Sequence, residues 1–200
     1  MSTGPSASVR TAGGIVAVLL AAGSLCACGD DDDAGAPTTA VPATTTAPAP
    51  TASRLLGGGM DAQAAGDDAT ASAKFREVLA LDPTNMLANH HLGLIQQNEG
   101  EGAAAEVNYR LALASDPTHA PTLYYLAILR AEAGSNDEAV DLYTRSIAAA
   151  PDSALAFLNL GLLLHTMGRT DEGAAMLAEA LRMDPTLARG VPEGQMPGGG

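Results

Sequence analysis

Apolar positions between about residues 53 and 187 recur at helical spacing inside a longer period. Large residues stand at Phe75, Tyr109, Tyr143 and Leu177, and Leu79, Leu113, Ile147 and Leu181 follow one helical turn later, the stripe of a half-buried helix. Leu92, Leu126 and Leu160 mark another helix ahead of the second, third and fourth of these. Between the paired stripes lie Gly66, Gly100, Gly134 and Gly168, and after them Pro83, Pro117, Pro151 and Pro185, each 34 residues from the last and 17 after its glycine. Glycine tolerates the left-handed conformation that ends a helix, and proline cannot continue one, so each window reads as helix, glycine turn, helix, proline stop. The windows are 52–85, 86–119, 120–153 and 154–187. The predicted helices are 53–65, 67–81, 86–99, 101–115, 120–133, 136–149, 153–167 and 170–183.

Local signals support several of these starts. Ser135 with Glu138 three residues on forms a capping-box pattern, Asp67 and Thr170 suit N-caps, and Pro121 suits a first turn. A small residue recurs inside the first helices at Gly59, Gly93, Ala127 and Gly161, and inside the second at Ala71, Ala105, Ala139 and Gly173, so the paired helices can approach closely. The first window carries Gly57, Gly58 and Gly59 in succession, each costing roughly 1 kcal/mol of helix propensity relative to alanine, which predicts an irregular first helix.

A fixed period of this length is the mark of stacked supersecondary units. The residues at these positions resemble the tetratricopeptide repeat family over 52–187, with Leu55, Asn89, Leu123 and Phe157 where the family often has a bulky aromatic. The resemblance implies an all-α fold, a right-handed superhelical solenoid of about four helix-turn-helix units whose concave face is lined by the first helix of each. On those helices the residues outside the core stripe are Leu87, His90, His91, Leu94, Gln97 and Asn98, then Tyr124, Tyr125, Ile128 and Glu132, then Leu155, Leu158, Asn159, Leu162 and His165. All of these except Glu132 and Leu155 are the expected partner-binding groove. None is lysine or arginine, so the basic clamp by which some relatives hold a C-terminal carboxylate is missing. Aliphatic, aromatic and amide groups instead suit a peptide with apolar anchors. Arg130, beside this row, is placed to reach into the groove or to pack outside it.

Composition narrows the function. The chain is 46% hydrophobic but only 3% aromatic, so its contacts are mostly alanine and leucine. A net charge of −13 with ten scattered basic residues disfavours nucleic acid and direct docking on anionic lipid. The four histidines include adjacent His90 and His91, which point about 100° apart on a helix and do not readily share one ion. No zinc-peptidase spacing or phosphate-cradling glycine loop occurs. The expectation is therefore no catalytic residue, no metal, no cofactor and no enzyme activity.

The N-terminus reads as an export signal over 1–27: Arg10 precedes the apolar run from Ile15 to Ala22, which is too short to span a bilayer. Leu25, Cys26, Ala27 and Cys28 resemble the bacterial lipobox, which implies lipidation of Cys28 and anchoring on the extracytoplasmic face of the cell membrane. Plain secretion is the alternative. Residues 28–52 read as a disordered tether, opening with Asp30 to Asp33 and continuing in threonine, proline and alanine. The repeat domain is 53–187, and 188–200 reads as a flexible tail. With no capping helix after Pro185, the last helix and its Met176, Leu177 and Met183 are expected to be uncovered, which would permit homo-oligomers, unless a short turn of Leu187, Ala188 and Arg189 covers it. The sequence thus predicts a membrane-anchored adaptor for an envelope protein or peptide segment, with a self-associating repeat module as the alternative.

Overall fold

The computed structural model describes residues 51–196. Within them the chain forms eight α-helices: α1 (Ala52–Ala64), α2 (Asp68–Leu81), α3 (Met86–Asn98), α4 (Gly102–Ser115), α5 (Ala120–Glu132), α6 (Asn136–Ala149), α7 (Ala154–Thr166) and α8 (Thr170–Met183). Two 3-10 turns, Pro185–Gly190 and Glu193–Gln195, follow. Consecutive helices pack as hairpins, α1 with α2 through α7 with α8, and each hairpin stacks on the next. The signal segment, Cys28 and most of the predicted tether lie outside the described residues, as does the end of the predicted tail.

Each hairpin turn is built the same way. Gly66, Gly100, Gly134 and Gly168 hold φ between 75° and 80°. The next residue then donates its backbone N–H back into the helix: Asp67 to Ala62, Glu101 to Gln96, Ser135 to Arg130 and Arg169 to Leu164, at 2.8–2.9 Å. These bonds satisfy carbonyls that the helix end leaves open. Between hairpins, the carboxylates of Asp82, Asp116 and Asp184 accept the backbone N–H and hydroxyl of the threonine two residues on, at 2.7–3.1 Å. That turn is what the recurring Asp-Pro-Thr tripeptide encodes.

Small residues set the spacing within each pair. A Cβ added at Gly59 would meet the Phe75 ring at 2.6 Å, one at Gly93 the Tyr109 ring at 2.7 Å, and one at Gly161 the Leu177 side chain at 2.8 Å. The same contact explains why the first helix is regular despite its three glycines: Gly59 is buried against Phe75, and tertiary packing offsets the propensity lost.

Three features depart from the sequence reading. The fully buried partners of Phe75, Tyr109 and Leu177 are Val78, Ala112 and Ala180, three residues on, while Leu79, Leu113, Ile147 and Leu181 are half-buried at the edge of the stripe. Asp67 caps α2 as expected, but Ser135 makes no side-chain cap, and α8 starts at Thr170 behind Arg169 rather than being capped by it. The Glu138 carboxylate that a capping box needs is instead held by Arg110 and Arg130 at 2.7 and 2.8 Å. Finally, the segment after Pro185 is not loose throughout. Val191 is 7% exposed and joins Leu158, Leu177 and Ala180 in a terminal cluster, with Leu187 and Met196 packed against it. The last helix is therefore covered on one face: Leu177 is fully buried in the terminal cluster, Met176 packs on the central core, and Met183 is half-buried.

Candidate functional site

The first helices form a row in which α1 touches α3, α3 touches α5 and α5 touches α7. Side-chain bonds cross from helix to helix along it. His91 Nδ1 meets Gln63 Oε1 at 2.8 Å between α3 and α1, Thr122 Oγ1 meets His90 Nδ1 at 2.9 Å between α5 and α3, and Asn159 donates to the Tyr124 hydroxyl at 2.9 Å between α7 and α5. His119 Nδ1 also reaches Thr122 Oγ1, at 2.7 Å, so one hydroxyl joins two imidazoles.

Aromatic and imidazole rings follow this row. Phe75 stacks on His91 at 5.3 Å, His90 lies 5.2 Å from His91 and 5.0 Å from His119, and Tyr124 lies edge-on to Tyr125 at 5.2 Å. Tyr109 is fully buried and donates its hydroxyl to Gln97 at 2.7 Å. Burial pushes the phenols of Tyr109, Tyr124 and Tyr143 above the usual tyrosine range. Burial also depresses the imidazoles. His90 falls to about 3, with His91 and His119 adding like-charge cost; His91 falls through burial and His119; and His119 falls through burial against the opposing pull of Asp116. Burial thus favours the neutral form of these three imidazoles.

The predicted groove residues separate into those that are available and those that are spent. Leu87, His91, Leu94, Gln97, Tyr124, Tyr125, Ile128, Asn159 and Leu162 are half-buried and Asn98 is exposed, whereas the half-buried His165 turns its ring onto Gly173 of α8 with its Nε2 buried. His90 and Leu158 are buried, the former among rings and the latter in the terminal cluster. Tyr124 and Tyr125 line a hollow of about 260 Å³ with Pro121 and the half-exposed Leu155. Asn159 and Leu162 line another of about 540 Å³ with Glu132 and Tyr143. Within this row α3 and α7 contribute no carboxylate, lysine or arginine, while α5 brings the exposed Glu132 to the second hollow.

Arg130 does not enter the groove. Its guanidinium bonds Glu138 at 2.8 Å, Glu106 at 3.0 Å and Ser135 at 2.7 Å, and Arg110 completes the quartet on the side of the second helices. Gln63 and Thr122, which sequence reasoning did not single out, prove to be crossing points of the row. The available signal was a threonine at the position where the second and fourth repeats carry Ala88 and Ala156, three residues after His119. Among the described residues, no group of three or more histidine, cysteine or acidic side chains is arranged to hold a metal ion.

The sequence of residues 124–188 matches the family model for the tetratricopeptide repeat. Comparison with curated protein sequences gives no match. Many solved structures share the fold. The crystal structure of MamA is 24% identical, with a TM-score of 0.63 over 70% of this chain and 81% of that one. PilF of Pseudomonas aeruginosa is 25% identical, with a TM-score of 0.60 over 67% of this chain and 61% of that one. YrrB, a tetratricopeptide repeat protein with an unusual peptide-binding site, is 18% identical, with a TM-score of 0.64 over 70% and 72%. The four equivalent hairpins have the tetratricopeptide-repeat fold that these solved structures share, and the sequence match to the family lies within the last two of them.

Proposed function

We propose that the protein is a non-catalytic adaptor, lipid-anchored through Cys28 on the extracytoplasmic face of a bacterial membrane, which binds an uncharged peptide segment of an envelope partner along the row of first helices. The supporting observation is the character of that row. The half-buried Tyr124 and Tyr125 stand over a hollow, the amides of Gln97 and Asn159 are fixed by tyrosine hydroxyls, and α3 and α7 carry no formal charge. Aromatic faces supply contact area at little conformational cost, and fixed amides meet a peptide backbone. Covering Leu177 and Leu158 with Val191 and Leu187 speaks against the alternative in which a bare last helix drives self-association.

The test is capture from envelope extract on the immobilised full chain, against a variant carrying Leu94→Glu and Tyr125→Glu. Unchanged helicity of the variant is checked first. A protein retained by the unmodified chain and lost on the variant supports the groove. Equal retention on both moves the binding surface elsewhere.

A further inference from the structure

Successive repeat junctions fill the same furrow in opposite ways. A shift of 34 residues carries Glu106, Arg110, Arg130 and Glu138, at the junction of the second and third hairpins, onto Val140, Thr144, Leu164 and Glu172, at the junction of the third and fourth. In the former the four side chains interlock in ion pairs of 2.7–3.0 Å. In the latter three of the four are uncharged, and the furrow between α6 and α8 stays open as a cavity of about 420 Å³. Leu160 and Leu164 are its buried floor, Phe157 and Met176 its walls, and Ala175 its exposed rim. The Thr144 hydroxyl is spent on the carbonyl of Val140 at 2.7 Å, so the opening offers almost no polar demand. A volume of this size is in the range of ligand-binding sites, about 300–1,000 Å³.

Charge at the mouth indicates the occupant. Arg169 is held by Glu172 in a two-pronged pair at 2.7 and 2.8 Å. Asp171 adjoins Glu172 in the first turn of α8, and Asp137 in the first turn of α6 lies within electrostatic reach of Arg169. Two carboxylates, those of Glu172 and Asp137, thus act on one guanidinium that is already paired, and Asp171 stands exposed beside them in sequence.

We propose that this furrow is a second docking site, on the side of the second helices, for a basic peptide segment. One bulky apolar side chain of the segment fills the cavity while flanking lysines or arginines meet Asp137 and Asp171. The apolar anchor supplies affinity, and the charges supply orientation and association rate.

Fluorescence anisotropy of the full chain tests this with a labelled helical peptide carrying one phenylalanine flanked by lysines. Two counterparts have alanine for the phenylalanine and glutamate for the lysines. Burying the ring predicts that the phenylalanine peptide binds about ten- to a hundredfold more tightly than the alanine peptide. Ala175→Trp, which plugs the rim, removes that advantage. Asp137→Lys with Asp171→Lys removes the preference for lysine over glutamate and flattens the salt dependence. All three positions are exposed, and unchanged melting temperatures verify the fold. Tyr125→Glu leaves both preferences in place. Absence of binding, equal binding of the phenylalanine and alanine peptides, or an advantage that survives Ala175→Trp would each overturn the proposal.

Discussion

Lowering the pH from 7.5 to 5.0 should weaken the fold through His90. This side chain is 5% exposed, and its surroundings hold its pKa at about 3 against an ordinary 6.5. The unfolded chain therefore binds a proton in a range where the folded chain does not. The stabilisation is fully present above pH 6.5 and is lost progressively as pH falls towards 3. At pH 5.0 the loss is about 2 kcal/mol, from roughly 1.4 kcal/mol per pH unit below 6.5. The groups facing His90 reinforce the sign. His91 and His119 are also depressed by burial, the Tyr109 phenol is pushed up by burial, the Tyr125 ring packs alongside, and Asp116 only partly opposes the shift of His119. The carboxylates of Asp82, Asp116 and Asp184 are held below the usual range by their threonines, so they lose stabilisation only at more acidic pH, below about 4. Urea unfolding followed by circular dichroism measures the effect. His90→Gln should lower stability at pH 7.5 but shrink the drop between pH 7.5 and 5.0 by about 2 kcal/mol. A flat profile for the unmodified protein, or the same drop in the variant, refutes the reasoning.

Three further outcomes are expected. Gly134→Ala, at φ 75° with open space around it, should destabilise by about 1–2 kcal/mol, whereas Gly57→Ala, in a helix with equally open space, should stabilise by about 1 kcal/mol; thermal melting distinguishes the signs. Val191→Ala should cost about 1–2 kcal/mol in urea unfolding, since it vacates space against Leu158 and Leu177, and no change would mean that the end of the chain does not seal the array. Cys28→Ser should move the protein from the membrane fraction to the soluble extracytoplasmic fraction; retention in the membrane would contradict the proposed anchor.

The sequence period made the architecture legible because backbone rules enforce it locally. A left-handed glycine and a proline stop leave little choice of where a helix ends, and the predicted helix limits lie within a residue of those found. Side-chain partnerships that cross repeats were less legible. Ser135 and Glu138 satisfy the pattern of a capping box, but Arg110, 28 residues before Glu138, competes for its carboxylate from the neighbouring hairpin. His90 was read as a groove residue, yet its burial follows from Thr122 and His119 arriving from the next repeat. The tail was read as loose from its glycines and prolines, although Leu187, Val191 and Met196 are spaced to cover the last hairpin. Each of these depends on which side chains meet across a distance in the chain, information that a local pattern does not carry.

Site-specific photocrosslinking tests the groove most directly. A photoreactive phenylalanine derivative is placed at Tyr125 in one protein and at Val107, exposed on α4, in another, and both are irradiated in intact cells. The account predicts a defined partner adduct from position 125 that disappears when Leu94→Glu is added, and no adduct of that partner from position 107. Adducts from position 107 alone, or an adduct at 125 that persists with Leu94→Glu, would contradict it.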